Sequence, residues 1–199
     1  MRFAFICVYL WPIMLLAQMA ETNAYISHGM EQFKLARIKE SLADFDHAIA
    51  LEPKVAPYLW QRGIALYYAG RYDDGRKQFD LHQTVNGNDV ENAAWRYLCM
   101  ARSSGVDAAR AALMPIAQDP RVPMMQIYSM YKGTATPDDV LAAAGRGNDS
   151  LFYAHLYIGL YYEAAGNAKA AREQIKLAVA QKADHYMGDV ARVHLKLMR

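Results

Sequence analysis

The stretch Gly63-Ile64-Ala65-Leu66-Tyr67-Tyr68-Ala69-Gly70 recurs as Gly159-Leu160-Tyr161-Tyr162-Glu163-Ala164-Ala165-Gly166. In both, two equally spaced glycines flank an apolar segment with the spacing of a helix face. Each copy then runs into a second amphipathic stretch. The first contains Tyr72, Gly75 and Phe79, and the second contains Ala168, Ala171 and Ile175. A small residue followed four positions later by a large apolar one is common to the two.

A third copy lies upstream. Gly29 precedes Gly63 by the same interval that separates Phe45 from Phe79, and Pro53 closes that copy. A fourth, looser copy contains Trp95, Leu98 and Cys99, turns at Gly105, and places Ala109 and Leu113 on a second helix that ends before Pro120. A degenerate pair follows. Met124–Lys132 reads as a helix stopped by Gly133. Thr136-Pro137-Asp138-Asp139 reads as a helix start, with Thr as N-cap, Pro at the first helical position and acids in the first turn, and that helix ends near Gly145. The last stretch, 184–199, reads as a helix with Val190, Val193 and Leu197 on one face and Arg192, Lys196 and Arg199 on the other.

The interval from Gly29 to Gly63 matches a helix–turn–helix unit of about 34 residues, which predicts an all-α chain of antiparallel helix pairs. The small residues explain how the two helices of a pair approach: Gly29, Gly63 and Gly159 on the first helix, with Ala171 among their counterparts on the second, while Phe45 and Phe79 fill the space between units. No sustained alternation suggests a strand. The final helix would cap the last exposed apolar face, as a solenoid requires.

These spacings resemble the tetratricopeptide repeat (TPR) superfamily over about residues 22–184. The segment 61–71 together with 157–182 is similar to the NlpI-type envelope lipoproteins of bacteria, although the chain is shorter and carries no cysteine placed to accept a lipid. The resemblance implies a TPR-like α-solenoid with a C-terminal capping helix. It also implies an exported adaptor that brings other proteins together. The expected organisation is a signal segment at 1–24, repeats at about 25–54, 56–88 and 92–120, the degenerate pair at 121–146, a repeat at 152–183 and the capping helix at 184–199.

The N-terminus carries its own signal. Behind Arg2, positions 3–17 form an uncharged apolar run. At about 15 residues it suits a secretory signal and is short for a membrane span. Ala17, Ala20 and Ala24 are the cleavage candidates. The expected location is periplasmic or secreted, with no stable membrane insertion after cleavage; an uncleaved N-terminal anchor is the alternative. Of the two cysteines, Cys99 alone lies outside this run, which rules out a disulfide framework in the mature chain.

Composition narrows the function. With 22 Lys and Arg against 20 Asp and Glu, and no dense basic run, nothing points to nucleic acid. None of the common nucleotide, metal or nucleophile motifs is present. His185 and Asp189 are too few for a closed metal site, and the paired acids Asp73-Asp74 and Asp138-Asp139 sit at helix starts. No cofactor and no catalysis are expected.

The expected function is binding a protein or peptide through the concave side of the repeats. Met30, Trp60, Ile64, Tyr67, Arg96 and Met100 are the expected groove, because aromatics, methionines and arginine make up protein-binding surfaces. Self-association through exposed repeat faces, as in a homodimer, is one alternative and a hydrolase in a helical-repeat fold another. If the terminal helix or the N-terminal segment fills the groove, these residues are core.

Overall fold

The computed structural model describes residues 6–198, with side chains from residue 16 onward. The signal-segment expectation therefore falls partly outside the described residues. The described residues form helices α1 (Ile6–Lys34), α2 (Ile38–Leu51), α3 (Trp60–Tyr68), α4 (Tyr72–His82), α5 (Val90–Ser104), α6 (Val106–Ala111), α7 (Met124–Lys132), α8 (Pro137–Ala144), α9 (Asn148–Ala164), α10 (Ala168–Ala180) and α11 (Tyr186–Leu197), with a 3-10 segment at Pro53–Tyr58. No strand occurs among them. Helix α1 runs unbroken through Ala17, Ala20 and Ala24 into the first helix pair. None of the described helices is long and apolar enough to cross a membrane.

Four helix pairs succeed one another: α1 with α2, α3 with α4, α5 with α6, and α9 with α10. In three of them the turn is built identically. At 35–37, 69–71 and 165–167 the chain closes with the same set of backbone bonds. Gly70 N–H donates to the Tyr67 carbonyl and Arg71 N–H to that of Leu66, and the equivalent bonds run from Ala36 and Arg37 and from Gly166 and Asn167. This is a left-handed helix cap. Its pivot is Gly70 (φ 73°), Gly166 (φ 79°) and, in the first pair, Ala36 (φ 62°).

Close approach within each pair follows the small residues. A Cβ on Gly63 would stand 2.6 Å from Phe79 Cζ, one on Gly29 2.9 Å from Phe45 Cε1, and one on Gly159 2.7 Å from Ile175 Cδ1 and 3.2 Å from the Ala171 carbonyl oxygen. In all three pairs the filling residue follows the glycine at the same interval. Phe45, Phe79, Ala171 and Ile175 are buried.

A second periodic feature ties neighbouring units. Arg62 donates from Nε to Asp46 and from Nη1 to Gln78 Oε1. Arg96, one repeat further on, donates from Nε to Asp80 and from Nη1 to the Ala112 carbonyl. His28, one repeat before Arg62, holds Asp44 at 2.8 Å. Each arginine thus reaches 16 positions back and 16 positions ahead, and His28 reaches ahead by the same interval. The first three pairs share this spacing.

The fourth copy departs from expectation. Helix α6 stops at Ala111, and 112–123 run without regular helix. Pro115 keeps the helix from continuing: it lacks an N–H and pushes Met114 out of the helical region. Leu113 lies in this segment and not on a helix. The degenerate pair matches its reading: Gly133 takes φ 86°, and Thr136 and Asp139 form a reciprocal capping box.

Helix α11 does more than cover α10. It also packs on α1. The Tyr186 ring meets Phe33 and Trp60 with centroids 5.5 and 5.3 Å apart, and His194 reaches Tyr68. Met187, Val190, Ala191, Val193 and His194 are all buried, whereas Leu197 is exposed.

Candidate functional site

The six residues expected to line one open groove do not share one surface. Ile64 is fully buried and Tyr67 nearly so. The Tyr67 ring packs against Tyr68, Tyr72 and Trp95. Met30 is half-buried against the core. Trp60 is half-buried behind Tyr186. Arg96 is engaged in the brace to Asp80 and Ala112 and also donates to the Met100 sulfur. The correction lies in the register: one repeat after Trp60, Ile64 and Tyr67 stand Ala94, Leu98 and Ala101. Arg96 is instead the counterpart of Arg62, and Met100 that of Leu66. The second half of the expected groove belongs to a different helix face from the first.

Two cavities flank the aromatic cluster. The first, of 270 Å³, is lined by Tyr67, Tyr68, Tyr72, Arg102, Glu163 and His194, with Leu197 and Met198 at its edge. Its polar groups largely satisfy one another. His194 Nδ1 is 2.8 Å from the Tyr68 hydroxyl, and Nε2 lies 3.3 Å from Glu163 Oε2, off the line of a good hydrogen bond. Burial pushes the His194 pKa below its ordinary value, against the opposing pull of Glu163. The Arg102 Nε donates to the Tyr72 hydroxyl, and its guanidinium stands 5.6 Å from the Tyr72 ring centre.

The second cavity, of 230 Å³, lies among α3, α4, α5 and the 112–123 segment. Trp60, Phe79 and Trp95 form its apolar walls; Glu91, Asn92, His82 and Arg121 are its principal polar residues. The 112–123 segment is fastened there by its own polar bonds. Asp119 accepts from the backbone N–H groups of Val90 and Arg121, and the Ala117 N–H donates to Asn88 Oδ1. Arg121 then reaches Asp119 at 2.6 Å, Asp89 at 2.7 Å and Glu91 at 3.7 Å.

This second cavity is incompletely satisfied. Glu91 Oε1, Asn92 Oδ1 and Trp95 Nε1 are buried and find no hydrogen-bond partner among the described residues. Asn92 spends its amide N–H groups on the Phe79 carbonyl, Gln83 and the Met114 sulfur, which leaves only the carbonyl oxygen. His82 Nδ1 is 2.8 Å from the Pro57 carbonyl and so carries the proton there; its Nε2 is left as an acceptor. Burial pushes the Glu91 carboxyl up to about 8, with Arg121 pulling the other way. Buried polar groups without partners are uncommon and mark places where a ligand or water completes the set.

The other candidates in the sequence do not form a site. His185 stacks on Tyr153 with an interplanar angle of 11°, and Asp189 pairs with Arg192, so these two do not converge on an ion. No group of three or more His, Cys, Asp or Glu side chains among the described residues is placed to hold a metal. Cys99 is a buried free thiol, its Sγ filling the space a Cβ on Gly75 would need, and burial pushes its pKa to about 12.

Of the cavity residues, the sequence points to Trp60 but not to Glu91, Asn92 or Arg121. Glu91 stands in the first turn of a helix, where an acid is commonplace, and Arg121 follows a proline at a repeat boundary. No protein-family model matches the chain.

Proposed function

We propose that this chain is a TPR-type α-solenoid that works as a non-enzymatic, exported binding module for another protein. The solenoid reading draws support from three equivalences one repeat apart: Arg62 with Arg96, Ala36 with Gly70, and the Gly29–Phe45 contact with the Gly63–Phe79 contact. Export rests on the uncharged apolar run at 3–17.

The observation that carries the binding reading is the cavity walled by Trp60 and Trp95. It is aromatic, partly buried and polar-unsatisfied, and it is smaller than the roughly 300–1,000 Å³ of pockets that enclose whole small molecules. Its size suits one anchoring side chain of a partner, the usual centre of a protein-binding hot spot.

Affinity capture from the native compartment tests this, with wild type and Trp60→Ala run in parallel. A partner retained by wild type and lost with Trp60→Ala supports the module. A captured set that is the same for both overturns the assignment of the cavity, and cytoplasmic retention of a reporter fused to residues 1–24 overturns export.

A further inference from the structure

We infer that the cavity between Trp60 and Trp95 receives a primary ammonium group, the side-chain head of a lysine presented by the partner. The inference rests on the binding-module reading and adds the chemistry of the anchor.

Charge points the same way as shape. Three carboxylates, those of Asp89, Glu91 and Asp119, surround the guanidinium of Arg121. Arg121 is already engaged by all three, so the cluster keeps an excess of negative charge whether or not Glu91 carries its proton. An anionic head would meet that excess directly. A cation is attracted to it, and the two indoles that line the cavity supply aromatic surface of the kind that ammonium groups bind.

The unpaired atoms are the independent observation. Asn92 is 3 % exposed and Trp95 1 %, and both line the cavity. Two of the three atoms without a hydrogen bond, Glu91 Oε1 and Asn92 Oδ1, are acceptors, the first of them facing Arg121 only at the 3.7 Å of a loose ion pair. An ammonium is the complement of such a set, with three donors and no acceptor. The apolar stem of a lysine lies naturally along aromatic walls. The remaining unpartnered atom, the Trp95 N–H, is a donor and takes an acceptor from the same segment, for which a main-chain carbonyl is the general source. Glu91 stands in the first turn of α5, where the helix dipole favours its ionised form once a cation is beside it.

Occupation then couples to protonation. Burial holds the proton on Glu91 up to about pH 8, and an incoming ammonium displaces it. The groups facing Glu91 are Asp89, Asp119 and Arg121 from the flanking loops, Tyr153 and Tyr157 from α9, and His82 across the cavity. With one proton released per cation bound, affinity should rise by up to about tenfold per pH unit below pH 8, while an alkylammonium stays charged until roughly pH 10.

The test uses the full chain and n-butylammonium, followed by the indole N–H resonances in a nitrogen–proton correlation spectrum. A Trp95→Phe variant assigns the Trp95 signal. The expected result is a saturable shift of that signal whose midpoint falls about tenfold from pH 6 to pH 7, with Glu91→Gln abolishing the pH dependence and weakening binding at least tenfold. The wild-type pH series stands alone if the variant fails to fold. A shift equal with neutral butyramide or with butylguanidinium overturns the ammonium assignment, as does a cavity that responds to no probe and holds water only. The two readings fail separately: loss of the amine response with Trp60-dependent partner capture intact removes the ammonium and keeps the module, whereas an amine response without any captured partner removes the module and keeps the site.

Discussion

The Tyr186 ring stands edge-on to the Trp60 indole, with centroids 5.3 Å apart and planes at 88°, and so joins the last helix to the third. The same ring lies 5.5 Å from Phe33 of α1. One aromatic side chain therefore closes α11 onto two earlier helix pairs. Truncating it leaves a hole among packed rings, so Tyr186→Ala should cost about 3 kcal/mol and expose Trp60 to water. Chemical denaturation with tryptophan emission as the probe checks both, because the emission should shift to the red before unfolding begins. Tyr186→Phe should cost nothing or stabilise slightly, since the Tyr186 hydroxyl is buried without a partner among the described residues. Equal losses in both variants would contradict the packing role.

The turn equivalence yields a stabilising substitution. Ala36 holds φ 62° where its counterparts are Gly70 and Gly166. A side chain in the left-handed region costs about 1–2 kcal/mol, and glycine gives back part of that gain through its greater freedom in the unfolded chain. Ala36→Gly should therefore raise stability by about 0.5–1 kcal/mol, and Gly70→Ala should lower it by a similar amount. A Cβ added at Gly70 would have no neighbouring atom within 4 Å, so that loss reports backbone strain alone. Thermal melts of the two single variants, moving in opposite directions, are the check.

Much of this fold is legible in the sequence because glycines and caps act locally. Gly63, Gly133 and Thr136-Pro137 each announce their own geometry within a few residues. Pro115 is a local signal in the sequence that bars the helix from running on to Pro120 as the repeat pattern expects. The site is less legible for a different reason. Glu91, Asn92 and Arg121 meet only because 112–123 leaves the helical path and Asp119 pins it to the start of α5. A non-local contact of that kind leaves no spacing to find. The groove fails through register: Arg96 is adjacent to Trp95 in the chain, but its own period pairs it with Arg62.

Close packing at the glycine contacts predicts coupled substitutions. A Cβ on Gly63 meets three Phe79 ring carbons at 2.6 to 3.0 Å. Gly63→Ala should cost about 1–3 kcal/mol by overpacking. Phe79→Leu alone should cost a similar amount through lost volume. The double variant should lose less than the sum of the two, because the smaller side chain makes room for the methyl group. A double-mutant cycle by urea denaturation measures that coupling, expected at about 0.5–3 kcal/mol. Strict additivity would place the two residues out of contact.

Two buried titratable groups set the pH profile, with opposite signs. The Glu91 carboxyl is raised from 4.5 to about 8 in the folded protein. Its folded form holds the proton more tightly than the unfolded form, so its contribution is fully present below about pH 4.5. That contribution is lost progressively as pH rises to about 8. His194 is lowered by burial. Its unfolded form takes the proton more readily, so its contribution is present above the ordinary histidine value of about 6.5 and is lost as pH falls through it. Between the lowered His194 value and about pH 6.5 the two slopes oppose and nearly cancel, so the pair gives a flat stretch below about pH 6.5 and a decline from there to about pH 8. Glu91→Gln removes the alkaline decline and leaves the His194 slope alone below about pH 6.5. The shift sets a ceiling of roughly 5 kcal/mol on that gain, and water reaching the 14 % of the side chain left exposed brings the expectation to about 2 kcal/mol at pH 9. At pH 5, where Glu91 is protonated in the fold, the variant and wild type should nearly coincide. His194→Gln should do the reverse: without the opposing slope, stability should fall steadily from about pH 4.5 to about pH 8. Melting temperatures of the three proteins across that range decide the matter, and an alkaline limb unchanged in Glu91→Gln would place the titrating group elsewhere.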